Sequence, residues 1–200
     1  MPVRRAVQKV MVIFLSASLL PAVGGAASDP GRRSRRGSPA PPAPEWAIAA
    51  WLNGDPGSLG QQRGRVVLID FFQLWCPGCN AFSVPLFQRW EKKYAHRADV
   101  LVVSIHTVFE GHSYQTEDRL RQYLREKEIH HPVGIDAYAH PGDAIPITMR
   151  RYRTGGTPRV VIVGKQGRIR FSHLGRFPTA PVEELIERLL QEEAPGSAGR

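Results

Sequence analysis

Val66-Val67-Leu68-Ile69-Asp70-Phe71-Phe72 is followed, after Gln73-Leu74, by Trp75-Cys76-Pro77-Gly78-Cys79. The first stretch is apolar at all but one position, the pattern of a strand buried on both faces. The second holds the only two cysteines of the chain. Two cysteines three apart, where a strand gives way to a helix, form a reversible dithiol–disulfide pair in many oxidoreductases. Two other uses stand beside that one. As a staple, a ring this small contributes only about 2 kcal/mol by chain entropy, against about 3 for a 15-residue loop. As a zinc site, the pair needs two further ligands, and no second Cys pair follows. The redox use is the leading reading.

Outward from this stretch the chain reads as alternating elements. Glu45 to Asn53, with Trp46, Ile48 and Trp51, predicts a short entry helix closed by Asn53-Gly54. Cys79 to His96 predicts a helix with Phe82, Leu86, Phe87 and Trp90 on one stripe and a kink at Pro85. Val100 to Ile105 is a second buried strand, and Thr116 to Lys127 a helix with Leu120, Tyr123 and Leu124 inward. Pro132 to Asp136 is extended, and a helix from Asp143 to Tyr152 is interrupted by Pro146. Arg159 to Val163 and Arg168 to His173 are strands joined by Gly164-Lys165-Gln166-Gly167, a hairpin signal. Pro181 at a first helical position starts a last helix burying Leu185, Ile186, Leu189 and Leu190. The order implies an α/β fold, a mixed sheet with helices on both faces.

The net charge of +9 invites a nucleic-acid reading, but its placement argues against one. Seven Lys/Arg and one acid lie before Glu45, so +6 of the charge belongs to the N-terminal segments. Those segments divide in two. Residues 1–27 have the layout of a signal peptide: Arg4, Arg5 and Lys9, an apolar run from Val10 to Leu20, then small residues ending at Gly25-Ala26-Ala27. The alternative is an uncleaved anchor, since Val10 to Ser28 carries no charge. Both place the domain outside the cytoplasm, in the periplasm of a bacterial host. Residues 28–44, rich in Pro, Gly, Ser and Arg, predict a disordered tether, with membrane tethering through the N-terminus as the corollary of an uncleaved leader. The domain is expected over 45–193, followed by a flexible tail over 194–200.

Taken together, these landmarks resemble a thioredoxin-like fold, and more closely the exported redoxins of the TlpA/ResA group. The resemblance covers roughly Trp46 to Glu193. It rests on Gly64-Arg65 with the strand through Phe72, on Trp75-Cys76-Pro77-Gly78-Cys79, on Gly156-Thr157-Pro158 before a strand, and on Gly167-Arg168-Ile169 after the hairpin. An inserted strand–helix segment between Ser104 and Arg151 is typical of that group. The resemblance implies a thiol:disulfide oxidoreductase without an organic cofactor. Cys76, at a helix mouth where free N–H groups favour a thiolate, is the expected attacking thiol, and Cys79 the resolving one. Asp70 stands where thioredoxin has a buried Asp that takes the proton as the second thiol ionises; the alternative is a solvated strand-end carboxylate. Trp75, Pro77, Thr157 and Pro158 are the expected substrate-facing set, with Thr157–Pro158 cis and against the disulfide. A membrane thiol-reducing partner and disulfide-bearing exported clients are implied as well.

Two rival functions follow from the same motif. A thiol peroxidase places a Thr three residues before its reactive Cys and a Pro upstream, whereas this chain has Gln73 there and no Pro from 66 to 75. A redox-inactive or copper-binding module of the same fold is the second; the Sco-type copper chaperones use a Cys-x3-Cys spacing with a later His, against two residues here. His106, His112, His130, His131 and His140 are expected in packing or surface roles, with no metal.

Overall fold

The computed structural model describes residues 40–194 and 196. The expected signal peptide and most of the tether lie outside these residues. The described chain forms one six-stranded mixed sheet, β1 (Ile48–Leu52), β2 (Val66–Phe72), β3 (Val100–His106), β4 (Val133–Asp136), β5 (Arg159–Val163) and β6 (Ile169–Leu174), in spatial order β1-β4-β3-β2-β5-β6. β2, β3 and β4 run parallel, while β5, β6 and β1 pair antiparallel to their neighbours. The helices are α1 (Val84–Tyr94), α2 (Glu117–Glu126), α3 (Ile147–Tyr152) and α4 (Thr179–Gln191).

Every residue of β2 is buried, as its unbroken apolar run requires. Alternation then sorts the side chains. Val66 and Leu68 join Leu86, Phe87, Trp90, Ile186 and Leu189 of α1 and α4 on one face. Val67, Ile69 and Phe71 meet Trp46, Leu59 and Tyr152 on the other. Asp70 shares the parity of Val66 and Leu68, so it points into the α1 side of the core.

Four expectations need correction. Within the segment 45–53 the chain forms strand β1 (Ile48–Leu52) and no helix. A register irregularity between Ile48 and Ala50 places an extra residue in the strand, and both Ile48 and Trp51 end up against Gly134. Two apolar residues three apart on one face is also what a helix shows, so the bulge imitated helical spacing. α3 begins only after Pro146, because Asp136 accepts the N–H groups of Thr148 and Met149 and caps the start there. α4 begins at Thr179, so Pro181 is the third helical residue, still in the turn whose N–H groups have no intrahelical acceptor. The kink expected at Pro85 is resolved as a wide π turn over Cys79–Ser83, which leads into α1 with Pro85 in its first turn.

The end of the expected tether is structured. Ala43 N–H donates to Gly167 O and Ile169 N–H to Pro41 O, bridging Pro42 to Arg168 beside β6. Tyr152 Oη donates to Pro44 O. The packed unit therefore begins by residue 40 and not at 45.

Candidate active site

β2 ends at Phe72, and a turn at Leu74-Trp75 leads into a helix that starts at Pro77. Cys76 sits just ahead of that helix and is disulfide-bonded to Cys79. Cys79 N–H donates to Cys76 Sγ at 3.1 Å, so a helix-start donor already points at the sulfur that would carry negative charge. The two sulfurs differ in access: Cys76 is 9% exposed and Cys79 fully buried. Asn80 holds the turn, its side-chain amide donating to Leu74 O and Cys76 O while Tyr123 Oη donates to its Oδ1.

The Thr157–Pro158 bond is cis, and Pro158 packs on the motif's own glycine: a Cβ on Gly78 would lie 3.0 Å from Pro158 Cδ. The loop Gly156-Thr157, with Trp75, Cys76, Pro77, Phe109 and Glu110, lines an open cleft of about 420 Å³. Of the expected substrate-facing set, Trp75, Pro77 and Thr157 line this cleft, and Pro158 lies behind it, buried.

Asp70 is completely buried one layer below. Its Oδ2 accepts from Ser83 Oγ at 3.0 Å, and its Oδ1 receives no hydrogen bond from the protein. Burial pushes its pKa up to about 7, and the Ser83 bond opposes the rise only in part. A carboxyl poised near neutrality can accept a proton and return it.

One cluster carried no local sequence signal. Trp75 is 47% exposed, and its indole N–H donates to Gln73 Oε1 at 3.1 Å. The same oxygen accepts from Gln115 Nε2, which also donates to Glu110 O. Gln115 Oε1 in turn accepts Leu74 N–H at 3.0 Å and meets His106 Nε2 at 3.2 Å. Gln115 thus ties the 107–115 loop to the end of β2. Burial drives the His106 pKa down to about 4, against the Gln115 bond, so this ring is neutral at physiological pH. Tyr114 stacks on Trp75 with centroids 6.0 Å apart, and the Arg119 guanidinium lies 4.2 Å from the Tyr114 ring centre.

Comparison with known proteins agrees with this geometry. The Redoxin family model matches residues 36–189. The thioredoxin-like protein YneN of Bacillus subtilis is 23% identical over 145 residues, 72% of this chain and 76% of its own. The crystal structure of the thioredoxin-like superfamily protein SPOA0173 superposes with a TM-score of 0.73 at 36% identity, covering 78% of this chain and all of the other. A thiol-disulfide isomerase from Corynebacterium glutamicum gives 0.70 at 33% identity, covering 76% and 98%. With a matching family model, relatives of this closeness and a Cys76–Cys79 pair at the head of a helix, the chain belongs to the redoxin family, as a thioredoxin-like thiol:disulfide oxidoreductase of the TlpA/ResA type.

Proposed function

We propose that this enzyme is exported to the periplasm, soluble or held by its N-terminus, and reduces disulfides of exported proteins. The observation that carries the reading is the unequal access of the two sulfurs: Cys76 opens on a cleft and Cys79 does not. The Cys76 thiolate attacks one sulfur of a client disulfide, forming a mixed disulfide and releasing the other sulfur as a thiolate. Cys79 then gives its proton to Asp70 and attacks Cys76 Sγ. The Cys76–Cys79 disulfide closes, and the client leaves with both sulfurs reduced. An extended client strand pairs with the Thr157 backbone and lies between Trp75 and Pro77, with Pro158 keeping that edge in place.

A reductant is favoured because Pro77-Gly78 puts no histidine between the cysteines to stabilise the thiolate further. The oxidised enzyme then needs recharging by a membrane thiol-reducing partner. No helix among the described residues is long and apolar enough to cross a membrane, so a membrane tether would have to come from outside them.

Thiol trapping in a dithiothreitol series tests the proposal. The wild-type pair should equilibrate at about −270 mV, and a value of about −120 mV would mean an oxidant instead. Incubated with a periplasmic extract without added reductant, Cys79→Ser should accumulate mixed disulfides, and Cys76→Ser none. Turnover by Cys76→Ser would reverse the assigned roles.

A further inference from the structure

Beside Asp70 runs a hydrogen-bonded chain that the dithiol chemistry leaves without a use. Asp70 and Ser104 are register partners on the parallel β2–β3 ladder. Their side chains leave the sheet on the same face, on strands about 4.8 Å apart. Ser104 Oγ lies 2.8 Å from His131 Nε2, and His131 Nδ1 lies 3.0 Å from Glu91 Oε2 on α1. Ser104 and His131 are buried, whereas the Glu91 side chain is 22% exposed. Glu91 and His131 open on a surface cleft of about 310 Å³ shared with Arg65, Tyr94 and Arg97.

Serine, histidine and carboxylate in this order also serve hydrolases as nucleophile, base and orienting group. That use fails here, because Ser104 is buried within β3 and does not line the cleft. A path for protons fits better. With a ring proton on His131 Nδ1, that N–H donates to Glu91 while Nε2 accepts the Ser104 hydroxyl, so both donors point outward. Burial works against the Glu91 carboxylate, but the hydrogen bond to His131 and the nearby His130 outweigh it and hold its pKa below the usual range. The path therefore ends on an ionised, partly solvated acceptor.

We propose that Ser104, His131 and Glu91 conduct the resolving proton from Asp70 to solvent. The proposal rests on Asp70 being the proton acceptor. After Cys79 has given up its proton, Asp70 holds it on a fully buried carboxyl whose Oδ2 is already engaged by Ser83. The proton leaves from Oδ1 to Ser104 Oγ through one bridging water, as the serine passes its own proton to His131 Nε2. His131 gives its Nδ1 proton to Glu91, which sheds it to water. No bond between heavy atoms changes, and one proton leaves the protein for each disulfide closed. The Tyr123 hydroxyl is a poor exit. Burial and the Asp70 charge push the Tyr123 pKa up, so this phenol keeps its proton, and it already donates to Asn80.

The test uses the reduced full chain mixed rapidly with an aromatic disulfide whose thiolate absorbs visible light. The first thiolate reports attack by Cys76, the second reports resolution by Cys79, and a pH indicator in weak buffer reports proton release. Above the Asp70 pKa, proton release in the wild type should coincide with the second thiolate. In Ser104→Ala and in Glu91→Gln it should lag behind that thiolate by about tenfold. Ser104→Thr, which keeps the hydroxyl, should restore coincidence. A loss of packing alone would shift both signals together and open no lag. Coincident release in both Ser104→Ala and Glu91→Gln overturns the relay. Asp70→Asn separates the two levels: an unchanged second thiolate would remove Asp70 from the mechanism, whereas a slowed one, with no lag in the relay variants, would remove the relay alone.

Discussion

Asp70 lies on the same face of β2 as Val66 and Leu68, with one serine hydroxyl to answer its charge. Its carboxyl has a pKa of about 7 in the folded chain against 3.8 for the free group, so the folded state binds this proton more tightly. The associated stability is fully present below about pH 4 and is lost as pH rises through about 7. The loss amounts to at most about 4 kcal/mol. Asp70→Asn keeps the shape without the ionisation, while its amide buries donors that cost about 1–3 kcal/mol if unpaired. Above neutrality the variant should be more stable than the wild type by about 1–2 kcal/mol, an advantage that vanishes at acid pH. Urea midpoints across the pH range check this, and a gain independent of pH would show that charge is not its cause. The position was legible because a lone carboxylate interrupts an apolar strand. Gln115 was not, since it stands in a polar stretch and the partners that tie it to the end of β2 are 41 and 42 residues away.

At the scale of elements, the cleft has one rigid wall and one loop wall. The rigid wall is the cis-proline turn against Gly78, and the other is the loop 107–115, fixed by Gln115 and by Gly111 lying against Trp75. Gly111 has φ +63°, and a Cβ there would run into the Trp75 indole. Gly111→Ala should therefore swing Trp75 off its platform beside Tyr114. We expect KM for a disulfide peptide to rise several-fold while the alkylation rate of Cys76 stays near wild type. Steady-state kinetics with a parallel alkylation assay separates the two, and a matching fall in alkylation would place the damage at the thiol instead. The loop was invisible to pattern reading because side-chain amides shape it and periodicity does not. The strands β2, β3, β5 and β6 were legible because burial writes their pattern directly. β1 was not, because its bulge spaces Ile48 and Trp51 as a helix would.

At the scale of the whole molecule, the boundary between tether and domain is set by three backbone acceptors and donors that composition does not reveal. Pro41 O, Ala43 N–H and Pro44 O are each used by groups of the domain: Ile169, Gly167 and Tyr152. Arg168 adds a bond from its guanidinium to Ala40 O. Prolines suit such an edge because they offer carbonyls without presenting a further donor to neighbouring chains. A chain starting at residue 40 should thus match the melting behaviour of one carrying the whole tether. A chain starting at residue 45 should lose these bonds, uncover the start of β6 and leave the Tyr152 hydroxyl without its acceptor. At about 0.5–1.5 kcal/mol for each net hydrogen bond, the loss of four should come to roughly 2–6 kcal/mol. The disulfide and its cleft lie at the other end of β2, so the reduction potential should not move between the two truncations. Paired denaturation and thiol-trapping measurements decide it. Equal stability would return residues 40–44 to the tether, and a shifted potential would mean that the N-terminal edge is coupled to the dithiol through the sheet.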